Sequence, residues 1–171
     1  MFNSMSAVTF KYINLMKCFI YFIFSSLIFI SFDVSSELIQ GLKVEKIVDG
    51  DTVYASLEGK VYKLRLTEID APERDQPFGR QSKVFLRELL KDGEFDANID
   101  GKDQYDRYLA RLYDNGIDIN RRMVNEGMAW VYDFYVTDKT FYNNQKLAQT
   151  KKKGIWSKRY PVPPWEWREA R

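Results

Sequence analysis

Three observations predict an α+β fold built round a small five-stranded barrel. Short runs rich in β-branched and aromatic residues alternate through the first half and are parted by tight-turn sequences. Stretches with helical spacing interrupt and follow them. No repeat or low-complexity linker divides the 171 residues, a length sufficient for one domain with its own core. Closing five strands into a barrel would remove most unpaired sheet edges. Pattern alone leaves the strand order open.

The strands are expected at residues 42–48 ("LKVEKIV"), 52–57 ("TVYASL") and 61–69 ("VYKLRLTEI"), with "DGD" and "EGK" as the turns between them. From Phe78 to Leu90 the apolar positions Phe78, Phe85, Leu86, Leu89 and Leu90 follow a helical period, and Gly93 follows the end. Alternation returns in "EFDANID" (94–100) and "RYLARLY" (107–113), the latter closed by "DNG". "INRRMVNEG" reads as a short helix ending at Gly127, and "MAWVY" as a brief strand. Thr137 or Asp138 is placed to cap a last helix running to about Lys153, before Gly154. The tail "YPVPPWEWREAR" is expected to be non-helical because of its prolines.

The N-terminus has a different character. "MKCFIYFIFSSLIFISFDVSSE" opens on a lysine, continues through an apolar run from Cys18 to Phe32 and ends in the small residues Ser35 and Ser36. That is the layout of a secretory signal. The run falls short of the roughly 20 apolar residues a membrane span needs. Residues 1–36 are therefore expected to be a signal peptide, with Met16 a natural alternative start and an uncleaved anchor the competing reading. Residues 37–159 form the expected folded domain, and 160–171 a Pro/Trp-rich tail. A secreted or periplasmic location follows from the signal, and an outward-facing membrane-anchored one from the anchor.

Composition removes whole classes of chemistry. There is no histidine, and the only cysteine, Cys18, lies in the apolar leader. No Ser-His-Asp triad, Cys-His pair or His/Cys zinc site can be built within the chain. Carboxylates, arginines, lysines and tyrosines must do any chemistry, and a metal must be a hard cation held through oxygen. The net charge of +2 hides a division: residues 139–171 carry nine basic and two acidic side chains, residues 37–138 fifteen basic and twenty-one acidic. An acidic body with a basic C-terminal section suits cations in one place and polyanions in another. A solvated helix face explains "KKK" equally well.

Four segments collect the remaining candidates: Asp49 and Asp51 in "VDGDTV"; Arg65, Asp70 and Glu73 in "RLTEIDAPE"; Tyr105 and Arg107 in "DQYDRYLARLY"; and Tyr132 and Tyr135 in "GMAWVYDFY". Each has a plain structural explanation alone: a hairpin turn, an outward strand charge, a backbone cap, a surface ion pair or a core tyrosine. Together they describe a task. Asp51 and Asp70 supply anionic oxygens for a divalent cation, with the Ala71 carbonyl and waters completing the about six to eight ligands calcium accepts. Glu73 is placed to orient or deprotonate a water. Two arginines clamp a phosphate through planar forks where lysines act only as point charges. Phosphodiester hydrolysis needs these parts.

In matching order and spacing, "IVDGDTV", "RLTEIDAPE", "YDRYLARLY", "NEGMAWV" and "KKGIWS" resemble the staphylococcal nuclease (thermonuclease) family over roughly residues 42–158. The resemblance implies an OB-fold barrel with about three packed helices. It implies a calcium-dependent endonuclease that hydrolyses DNA and RNA and leaves 3′-phosphates. Carried over by position, Asp51, Asp70 and the Ala71 carbonyl are the calcium ligands, Asp49 an acid behind them, Arg65 and Arg107 the phosphate clamp, and Glu73 the general base. Tyr105 and Tyr135 are the nucleotide contacts the resemblance implies, and either Tyr132 substitutes for the tyrosine replaced by Asp133 or that contact is missing. Three positions depart from the family pattern: Ala71 replaces a threonine, Asp133 the first tyrosine of a Tyr-x-Tyr pair, and Gln104 a frequent lysine. The substrates implied are DNA and RNA, with no obligate protein partner and a monomeric chain. The rival reading is an OB-fold module that grips nucleic acid without cutting it.

Overall fold

The computed structural model describes residues 36–171. The expected signal segment therefore lies outside the described residues except for Ser36, as do Met16 and Cys18. Among the described residues no helix is long and apolar enough to cross a membrane.

Five strands close on themselves. They are β1 (Glu37–Ile47), β2 (Thr52–Leu57), β3 (Lys60–Leu66), β5 (Glu94–Lys102) and β6 (Tyr108–Asp114). Short strands β4 (Ile69–Asp70), β7 (Ile117–Asp118) and β8 (Trp130–Val131) complete the set. The order β3-β2-β1-β5-β6 is antiparallel throughout, and a parallel β3–β6 pairing closes the barrel. β1 starts five residues earlier than its sequence pattern suggests, at Glu37 rather than Leu42. Register shifts at Ile39/Leu42 and Val44/Lys46 bend it, so its first half pairs with β5 and its second with β2. Alternate residues fill the interior, with Leu42, Val53, Leu64, Ala97 and Leu112 fully buried.

Three helices of seven or more residues pack on this barrel: α1 (Gly79–Leu89), α2 (Ile119–Asn125) and α3 (Phe141–Thr150). The apolar stripe of α1 buries Leu86, and the Ser82 hydroxyl donates to the Met128 carbonyl at 2.6 Å. The Asp118 carboxylate caps α2 by accepting from the Arg121 amide at 2.9 Å. Asn120, fully buried on α2, donates to the Thr67 and Ala110 carbonyls and accepts from the Leu112 amide. One side chain thus ties helix to barrel. α3 starts later than expected, at Phe141, because Asp138 folds the preceding turn by accepting from the Thr140 amide and hydroxyl.

Two expectations are corrected. The run at 61–69 is not one strand: Glu68 adopts a left-handed conformation (φ 70°) and breaks it into β3 and β4. Its buried carboxylate accepts from the Thr137 amide and hydroxyl at 2.9 and 2.7 Å, so this acid pins a distant loop. The tail is not without a helix either. Pro164–Glu169 form a short helix, α4, in which proline occupies the first turn, where its missing N–H and fixed φ cost nothing.

Candidate active site

The β1–β2 turn is shaped by close approach. A Cβ on buried Gly50 would lie 1.9 Å from the Ser82 hydroxyl and 2.7 Å from the Ala71 Cβ. Only glycine lets this turn press against α1 and the segment after β4. The contact delivers two acids: Asp51 Oδ2 accepts from the Ala71 amide at 2.7 Å, and Asp49 Oδ1 from the Asp51 amide at 3.1 Å.

Arg65 sits opposite, near the end of β3, with its side chain 12% exposed. Its Nη1 donates to the Leu66 and Ile69 carbonyls at 2.7 and 3.0 Å, bonds made possible by the Glu68 kink. The same Nη1 is 3.3 Å from Asp51 Oδ2, and Nη2 donates to Asp70 Oδ1 at 3.0 Å. One guanidinium therefore touches both proposed cation ligands. Among the described residues its Nε–H makes no hydrogen bond, which leaves part of its side edge free for an acceptor.

Glu73 follows Asp70 by three residues, in a segment with no regular structure. A Cβ on Gly79 would lie 1.9 Å from the Glu73 carbonyl, so a second glycine allows α1 to start against this residue. The Glu73 carboxylate accepts from Arg168 of α4 at 2.8 Å, and Arg168 also donates to Asp70 Oδ2 at 2.8 Å. The contacts run as one chain: Asp49, Asp51, Arg65, Asp70, Arg168, Glu73. Four carboxylates against two guanidiniums leave a formal excess of two negative charges. Burial is the leading influence on the titration of Asp49 and Asp70. Burial and the neighbouring Asp51 push the Asp49 carboxyl up to about 6. Asp70 is also raised, by burial first, while Arg168 and Arg65 oppose the shift.

Arg107 and Tyr105 lie on the turn before β6. Arg107 Nε donates to Asp103 Oδ2 at 2.7 Å, and its guanidinium is 5.5 Å from the Tyr105 ring. Among the described residues it makes no ion pair with the acids of the chain above. The register places it favourably all the same: Arg65 pairs with Leu109 across the parallel β3–β6 ladder, and Arg107 is two residues before Leu109.

Tyr132 is close enough to Asp70 for that carboxylate, after burial, to raise its hydroxyl pKa. Its ring packs against Tyr135 at 5.2 Å, Phe134 at 5.4 Å and Trp165 at 5.6 Å. Tyr135, Phe134 and Tyr105 are 66%, 76% and 65% exposed, free faces on which bases could stack. Asp133 instead accepts from the Tyr142 hydroxyl at 2.5 Å.

The residues fit a calcium ion in chemistry. Among the described residues no three acids converge into a ready-made metal cluster. Asp51 and Asp70 nevertheless flank one guanidinium, and the Ala71 amide donates to Asp51, which sets that residue's backbone beside the acids. Hard oxygen donors with waters completing the shell suit calcium better than a cation demanding rigid geometry. The feature missed in the sequence is Arg168. Its only signal was the positive balance of the C-terminal section, which does not single it out.

A family model described as staphylococcal nuclease homologue matches residues 63–158. An uncharacterized endonuclease of Haemophilus influenzae is 42% identical over 127 residues, covering 74% of this chain and 71% of that protein. An uncharacterized endonuclease of Escherichia coli is 37% identical over 130 residues, covering 75% and 85%. A micrococcal nuclease of Shigella flexneri is 35% identical over 139 residues, covering 75% and 80%. With its closed five-stranded barrel and packed helices, the chain belongs to the staphylococcal nuclease family and is a nuclease of that family.

Proposed function

We propose that this nuclease is a calcium-dependent endonuclease that hydrolyses phosphodiester bonds of DNA and RNA with little sequence preference, leaving 3′-phosphates. The observation that carries the reading is the contact of Arg65 with both Asp51 and Asp70, one residue from Ala71. Asp51, Asp70 and the Ala71 carbonyl would hold the ion, with Asp49 behind Asp51. When bound, calcium would polarise a phosphoryl oxygen and offset developing negative charge. Glu73 takes a proton from the attacking water, whose oxygen bonds to phosphorus as the P–O5′ bond breaks, and the leaving 5′ oxygen takes up a proton from solvent. Arg65 and Arg107 hold phosphate oxygens whose charge grows in the transition state. Tyr105 and Tyr135 offer aromatic faces to the flanking bases, and Tyr132 backs Tyr135.

The apolar leader supports export to the periplasm or the medium, and the chain acts as a monomer on nucleic acid. Nicking of single-stranded DNA and RNA by the purified chain, with calcium or with chelator, tests the reading. Cleavage of both substrates that requires calcium and leaves 3′-phosphate ends is expected. Equal rates with chelator would contradict calcium dependence. Binding without products would replace the enzyme with a nucleic-acid-gripping module.

A further inference from the structure

The C-terminal segment folds back onto the site. Val162 accepts through its carbonyl from Gln76 Nε2 at 2.7 Å, and Pro163 and Pro164 are buried. The Trp165 ring lies 5.6 Å from Tyr132 and 5.9 Å from Trp130, whose backbone pairs with Asp70 in the β4–β8 ladder. α4 is thereby anchored on the strand pair that carries a proposed cation ligand. One turn later Arg168 reaches Asp70 and Glu73, and Arg171 pairs with Asp75. Two arginines of the tail hold the three acids of "DAPERD".

Asp70 lies between two guanidiniums. Arg65 takes Oδ1, while Arg168 takes Oδ2 at 2.8 Å and reaches Oδ1 at 3.4 Å. The two arginines are not equally free to move: Arg65 is 12% exposed and bonded to two carbonyls, whereas Arg168 is 43% exposed at the end of a six-residue helix. A cation that takes Asp70 must displace or share one of them, and Arg168 is the one able to give way.

We propose that α4 is a wall of the active site and that Arg168 is a positioning residue: it competes with the cation for Asp70 and stays on Glu73 to fix that carboxylate. The inference rests on the nuclease reading above. Its consequence is an opposition of effects. Removing Arg168 frees Asp70 for the cation, so calcium binds more tightly. It also leaves Glu73 without its partner, so turnover falls.

The test uses the full chain with calcium alone as the binding probe, measured by calorimetry without nucleic acid. Arg168→Ala is expected to tighten calcium binding roughly tenfold by removing a like charge beside the ion. The same variant should slow turnover at saturating calcium by about tenfold or more, the usual cost of losing a group that orients a site residue. Arg168→Lys keeps the charge and should restore calcium affinity to near wild type, with turnover only partly rescued. Trp165→Ala, which undocks α4 but keeps the arginine, should move both quantities in the same directions by less. Unchanged calcium affinity in Arg168→Ala, with or without lower thermal stability, would reduce the contact to a structural one and overturn the proposal. Wild-type protein that neither binds calcium nor cleaves would instead sink the calcium-nuclease reading, and this proposal with it.

Discussion

Two networks of arginine and carboxylate sit on the same barrel and differ in balance. Arg111 and Arg121 face Asp118 and Asp138, two against two, with distances of 2.6 to 3.4 Å. Both guanidiniums lie over the Phe141 ring, at 5.0 and 4.6 Å, so the set clamps β6, α2 and α3 together. By ion pairing the site network sets Asp51, Asp70 and Glu73 against Arg65 and Arg168, three against two, with Asp49 behind Asp51 through its backbone amide. The same residue types then behave oppositely. Hydrogen bonds from Thr140, with Arg111 and Arg121 assisting, pull Asp138 down to about 2, whereas burial and a like charge push Asp49 up to about 6. A balanced network is finished and serves stability. On the reading proposed above, the unbalanced one would be relieved by a bound cation.

The sharpest way to break this contrast is to exchange one arginine. Arg65→Lys keeps the charge but loses the fork that spans Asp51 and Asp70; turnover should fall on the order of 100-fold. Steady-state rates at saturating calcium would show it, and wild-type rates would assign Arg65 to structure. Gly50→Ala should come next. Its new methyl group has no room against Ser82 and Ala71, and overpacking of this kind costs about 1–3 kcal/mol. Chemical denaturation should report that loss, together with weaker calcium binding as Asp51 is displaced. In the balanced network, Asp138→Asn should lower stability by roughly 1 kcal/mol and leave turnover of the folded enzyme unchanged. A change in turnover would mean that the two networks are coupled.

The smallest effect concerns acid. Asp138 has a folded-state pKa of about 2, below its ordinary 3.8, so its contribution is present above about pH 4 and is lost as pH falls through 2. Thermal melts between pH 5 and 2 should show that loss in the wild-type chain and a shallower decline in Asp138→Asn.

The barrel was legible because strand alternation and turn residues are local signals, and five of the strands followed them. The acids and Arg65 were legible as a motif, but their meeting depends on Gly50 against Ser82 and on the Glu68 kink, contacts between segments far apart in sequence. Glu68, one of a burst of acids, turned out to pin Thr137. α4 was missed because Pro163 and Pro164 read as breakers, although a proline at a helix start is permitted. A six-residue helix held by Trp165 against Tyr132 has little local signal of its own. Arg107 stayed with its sequence neighbour Asp103, an i,i+4 pair, rather than meeting the site acids.

Equilibrium calcium titration of the wild-type chain and of Asp70→Asn, without substrate, tests most directly whether the unbalanced network is a cation site. One calcium per chain, abolished or severely weakened by the substitution, is the expected result. No saturable calcium binding in the wild type, or binding that Asp70→Asn leaves untouched, would contradict it.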